Sequence, residues 1–202
     1  MYVLCWSARR FGLFGEAEEF AIEGIKKFAT DPRFHHGWAL SVFARRLKDQ
    51  SSTHSLDEAV AVSERALDLY KSEANREQVA GCHNNTAYML AYEVRHGTST
   101  DQEQVLEKLA RARQHIESLK EILEKKEWKP DHPQFFHTEA FLAHQEVQKK
   151  FRQMSAEEIK AKLLSTKDDI SEALNLFDCE LYDQLKKEVD NSYQRLVRAH
   201  ER

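Results

Sequence analysis

Two stretches of the chain align at an offset of 42 residues. Ala17, Phe20, Ala21, Gly24, Ile25 and Phe28 fall over Ala59, Val62, Ser63, Ala66, Leu67 and Tyr70, with Phe14 over Leu56 and Glu16 over Glu58 in support. Small residues meet small ones and large residues meet large ones. The spacing within each stretch is helical. A helical unit this short cannot bury its apolar face alone, so it must stack on its neighbours. The sequence therefore predicts an all-α fold, a solenoid of antiparallel helix pairs, and not one closed core. Such arrays serve as scaffolds for binding.

Composition agrees. Of 202 residues, 41% are hydrophobic and 32% charged, and only six are Gly and three Pro. So few turn-formers leave little room for a β fold. The formal net charge of -4 gives no support to a nucleic-acid partner. Cys5, Cys82 and Cys179 are odd in number and far apart, as expected of reduced thiols in a cytoplasmic protein. The opening run MYVLCWSARRF has its basic pair after a short apolar stretch, the wrong order for a secretory signal. No stretch approaches the roughly 20 apolar residues that span a bilayer. A soluble, cytoplasmic protein is the expectation.

Periodicity and stop signals predict helices over about 2–10, 14–29, 34–48, 56–72, 76–95, 101–126, 133–151, 155–164, 166–177 and 180–200. Three capping boxes fix helix starts: Ser55 to Glu58, Thr100 to Glu103 and Ser155 to Glu158. Thr166 to Asp169 is a weaker variant. Asp31-Pro32 stops one helix, and the prolines of Trp128-Lys-Pro-Asp-His-Pro133 stop another. Residues 1–150 form the expected array, and 151–202 a C-terminal helical extension or cap.

Gly12-Leu-Phe14-Gly-Glu16-Ala17 followed by Gly24, and Leu56-Asp-Glu58-Ala59 followed by Ala66-Leu67, resemble the tetratricopeptide repeat. Asn84 to Tyr92 looks like the first helix of a third pair, and Phe136 to Leu142 like that of a fourth. The resemblance covers about residues 1–150 and implies a right-handed solenoid of about four helix pairs. The family repeats about every 34 residues. The capping boxes here lie farther apart, so extra residues must lengthen loops or helices. The chain opens inside what resembles a first helix, with no N-terminal cap, so further sequence upstream of Tyr2 is expected.

In that family the first helices of the pairs line a concave groove. Here those helices carry Tyr2, Trp6, Arg9 and Arg10, then Trp38, Arg45 and Arg46, then Asn84, Asn85, Tyr88 and Tyr92. The expected partner contacts are Trp6, Arg9, Arg10, Arg45, Arg46, Asn84, Asn85, Tyr88 and Tyr92. Arginine forks bind carboxylates, Asn bonds peptide backbone, and Tyr and Trp give rigid contact area. The set suits an acidic or C-terminal carboxylate segment of a protein or peptide, in an adaptor or sensor rather than an enzyme. A second reading is self-association as a homodimer. A third, remote one rests on Arg195-x4-His200, which resembles the Arg–His spacing of the HEPN ribonucleases. There Arg would hold a phosphate and His would move a proton. Ten histidines are present, but His137 and His144, with His132 nearby, assemble too few ligands for a metal site. No metal or cofactor is expected, and neither membrane nor nucleic acid is an expected partner.

Overall fold

The computed structural model describes residues 1–48, 54–70, 76–97, 99, 101–124, 133–176 and 179–200, the side chains of 133 and 198–200 excepted. Among the described residues the fold is all-α. The helices are α1 Tyr2–Arg10, α2 Phe14–Lys27, α3 Pro32–Leu47, α4 Leu56–Leu69, α5 Arg76–His96, α6 Gln102–Glu124, α7 Pro133–Lys150, α8 Ala156–Leu176 and α9 Glu180–His200. No helix among them is long and apolar enough to cross a membrane.

The chain divides into two compact units, Met1–Met89 and Leu90–Arg202. The division falls inside α5. In the first unit α1 packs on α2, α2 on α3 and α3 on α4, and α1 also meets α3. Neighbour-on-neighbour packing of this kind fits a helical repeat. In the second unit α6 packs on α7, α7 on α8 and α8 on α9, and α7 also reaches α9.

The repeat is visible in three dimensions. Helices α2 and α4 are each 14 residues long, and both ends correspond at the sequence offset. Their buried residues correspond too: Ala17, Glu18, Ala21 and Gly24 in α2, and Ala59, Val60, Ser63 and Ala66 in α4. The small residues let neighbouring helices close in. A Cβ on Gly24 would lie 2.1 Å from the Phe34 ring of α3. That ring is in turn stacked on Phe28 with centroids 5.8 Å apart. In α4, Ser63 takes the slot of Ala21 and uses its hydroxyl, 2.7 Å from Thr86 Oγ1 of α5. One slot differs in kind: buried Glu18 stands where Val60 stands in the second copy.

Two of the capping boxes form in full. Ser55 N donates to Glu58 Oε2 at 2.7 Å while Glu58 N donates to Ser55 Oγ at 3.1 Å. Ser155 and Glu158 repeat the exchange at 2.7 and 3.2 Å. In both, the bond from the serine backbone amide holds the glutamate carboxyl below its ordinary value. The box expected at Thr100 falls on a residue outside those described. Asp101 caps α6, accepting from Glu103 N at 2.9 Å.

The expected helix break before Thr166 does not occur: α8 runs unbroken through it. Thr166 Oγ1 donates back to Lys162 O at 2.8 Å, the alternative open to a threonine inside a helix. Asp169 therefore has no cap to make. Burial, with the charge of Glu139 adding, pushes its carboxyl up to about 6. A raised carboxyl favours the folded state below its unfolded pKa, and that stabilisation fades as pH rises through about 6. Asp169→Asn is therefore expected to raise stability at pH 7 by about 1 kcal/mol, after allowance for partial solvation. At pH 3 the gain should vanish. Urea unfolding at the two pH values measures both.

The second unit is built on Leu109, Ile116, Leu142, Val147, Ile159, Leu163, Ile170 and Val189, all buried. A charged cluster is enclosed with them. Glu146 of α7 is 4% exposed. Arg113 of α6 donates to it through Nε at 3.1 Å and Nη2 at 2.8 Å, and Lys162 of α8 pairs with the same carboxylate. Burial alone would raise the Glu146 carboxyl. The bonds from Arg113 and Lys162 outweigh it and hold the group below the carboxylate range.

Candidate functional site

In the first unit, polar groups from three helices come together on one face. Arg9 lies on α1, His36 on α3 and Asn85 on α5. Asn85 Nδ2 donates to His36 Nε2 at 3.1 Å. The acceptor nitrogen is therefore unprotonated. Burial, with the charge of Arg9 adding, pushes the His36 imidazole down to about 4, so it stays neutral at physiological pH. Arg9 is half-buried, and among the described residues it has no carboxylate within ion-pairing distance. Burial lowers its pKa, against the opposing influence of Cys5 and Tyr2. A guanidinium that has lost part of its water without gaining an acid is poised to take one.

The remaining expected contacts divide. Trp6 is 42% exposed, and the Arg10 guanidinium lies 4.8 Å from the centre of its ring. Arg46 is exposed near the end of α3. Tyr88 is half-buried, edge-on to Phe43 at 5.7 Å. Arg45 is engaged within the protein: Nη1 donates to Glu18 Oε2 at 2.9 Å, and His54 Nε2 lies 3.5 Å from the other oxygen. Trp38, buried, meets the His54 ring edge-on at 4.9 Å. Asn84 is only 3% exposed, and its Oδ1 has no hydrogen-bond partner among the described residues. It faces the interior, where a surface partner cannot meet it. Tyr92 belongs to the second unit, stacked on His96 at 4.2 Å. Tyr2 carries the Arg33 guanidinium 5.1 Å over its ring.

Sequence reasoning does not single out His36. His35 Nε2 bonds Ala29 O at 2.9 Å, and His36 bonds Asn85, which lies 49 residues farther along. No local pattern announces a pairing at that separation.

In the second unit, His137 is buried, its ring stacked with Tyr182 at 4.7 Å and with Phe141 at 6.2 Å. His144 lies in a polar network with Gln148 and Ser192. His132 and the side chain of His200 lie outside the described residues. Arg195 donates to Gln148 Oε1 at 3.0 Å. The chain matches no family model, and no curated protein matches it.

Proposed function

We propose that this chain is a protein-interaction module, a tetratricopeptide-like right-handed solenoid that binds an acidic peptide segment on the first-helix face of its first unit. Arg9 carries the reading. Its guanidinium is half-buried beside a neutral His36 held by Asn85, and it lacks an internal acid among the described residues. An incoming carboxylate would take the fork of Arg9, while Trp6 and Arg10 offer a rigid, charged shelf along α1. Arg45 is left out of this contact set, because it holds Glu18. The same reading places the protein in the cytoplasm, where Cys5, Cys82 and Cys179 remain free thiols.

The test is selection from a displayed library of random twelve-residue peptides, followed by fluorescence anisotropy of the enriched sequences. Enriched peptides are expected to carry Asp, Glu or a terminal carboxylate. Their affinity should fall about tenfold or more for Arg9→Ala, the loss of one charge-assisted bidentate contact. Enrichment of neutral sequences, or equal binding by Arg9→Ala, would overturn the assignment.

A further inference from the structure

The second unit contains a cavity of about 420 Å³ between residues of α7, α9 and the end of α5. That volume lies in the range of small-molecule sites. Three cations line it: Arg95, Lys149 and Arg195. Glu188 is the one acid among the lining residues, and it is taken by Arg95, whose two Nη atoms donate to its two oxygens at 2.8 Å each. Lys149 and Arg195 have no carboxylate partner among the described residues. The lining thus carries two positive charges in excess.

Arg195 is exposed, and an exposed arginine ordinarily samples many rotamers. This one is fixed through a relay. Its Nη2 donates to Gln148 Oε1 at 3.0 Å. The other end of the Gln148 amide is held too, Nε2 donating to Ser192 Oγ at 2.7 Å and lying 3.2 Å from His144 Nε2. Ser192 and His144 are themselves buried, with the serine hydroxyl 2.9 Å from His144 Nε2. For that nitrogen to accept, the imidazole must be neutral. Burial ensures this, pushing His144 down to about 4, with Arg95 and Arg195 assisting and Glu188 opposing. Two buried residues thus orient one amide, and the amide orients one guanidinium. Support of this kind makes a charged group a binding group, because its ordering cost is met before the ligand arrives.

We infer that this cavity binds the phosphate group of a small phosphate monoester, with Arg195 and Lys149 on the phosphate oxygens. The excess charge favours phosphate over carboxylate, since a monoester carries about -1.5 to -2 at pH 7. The amides of Gln145 and Asn191 also line the cavity and could bond the organic part.

Titration calorimetry of the whole chain with adenosine 5′-monophosphate, inorganic phosphate and adenosine tests this. The monophosphate is expected to bind and adenosine is not. Arg195→Gln should weaken the monophosphate about tenfold or more. Gln148→Ala, which leaves every charge in place and only releases the arginine, should weaken it about threefold or more. Circular dichroism identical to wild type would show that both variants fold. Tighter binding of the ester than of inorganic phosphate identifies an ester ligand. Equal binding of the two, still lost in Arg195→Gln, identifies free phosphate as the source. No heat from either at 10 mM (roughly the weakest specific affinity worth the name), or binding that survives Arg195→Gln, overturns the inference.

Discussion

Arg113→Ala is expected to cost about 3 kcal/mol at pH 7, the lower end of the range for breaking a buried ion pair. The loss is not the strength of two hydrogen bonds. It is the penalty of leaving the Glu146 carboxylate in a core that Leu142 and Val147 keep dry, with Lys162 as its remaining cation. Lys162 keeps the figure from being larger. The pH dependence follows from the direction of the Glu146 shift. Its carboxyl is held low in the folded protein, so its contribution is fully present above the unfolded carboxylate pKa and is lost as pH falls through the folded one. The variant lacks the main cause of that depression. Its deficit against wild type should therefore be largest near neutrality and shrink below about pH 4. Urea midpoints for the two proteins at pH 7 and pH 3 measure this. A deficit independent of pH would mean that packing against the arginine stem carries the effect.

Arg45→Ala should cost about 2–4 kcal/mol for the same reason, because Glu18 is buried and the arginine is its closest cation. Here the molecule supplies its own control. The slot of Glu18 is filled in the second copy of the repeat by Val60, which is equally buried. Adding Glu18→Val to Arg45→Ala removes the stranded charge and puts the copy's own residue in its place. The double variant is expected to recover to within about 1 kcal/mol of wild type. Thermal unfolding of the two single variants and the double closes the cycle. A double variant no more stable than Arg45→Ala would mean that Glu18 is stabilised by something other than that arginine.

The helical plan was legible because the signals that carry it are local. The three- and four-residue spacing of Ala17, Ala21 and Gly24, and its echo in Ala59, Ser63 and Ala66, place two helices and their starts at Phe14 and Leu56, while their ends, at Lys27 and Leu69, come before the expected 29 and 72. Ser55 and Ser155 place two helix starts, because a capping box needs only four consecutive residues. The same pattern misled at Thr166 and Asp169. A threonine hydroxyl serves equally well by bonding the carbonyl of Lys162, and only the packing of α8 decides which it does. The site was legible in part. The face was read from helix order, and Trp6, Arg9 and Arg10 lie on one helix, α1. Asn84 and Asn85 are adjacent, so a helix turns one into the core and one toward His36. Their sequence context is nearly the same, and nothing in it says which is which. Arg45 read as a surface cation because its acid lies 27 residues earlier, on another helix.

Tandem copies bring a hazard. Like elements can be exchanged between neighbouring repeats, or between two chains folding side by side, and repeat proteins misassemble in this way. Helices α2 and α4 match in length and in their small-residue stripe, so shape alone would let one stand in for the other. The ion pair forbids it. With α4 in the place of α2, Val60 would face Arg45 and leave the guanidinium without its carboxylate; with α2 in the place of α4, Glu18 would be buried in the slot of Val60, away from Arg45. Either exchange strands a charge, which makes a single acidic residue the address label that tells two otherwise interchangeable helices apart.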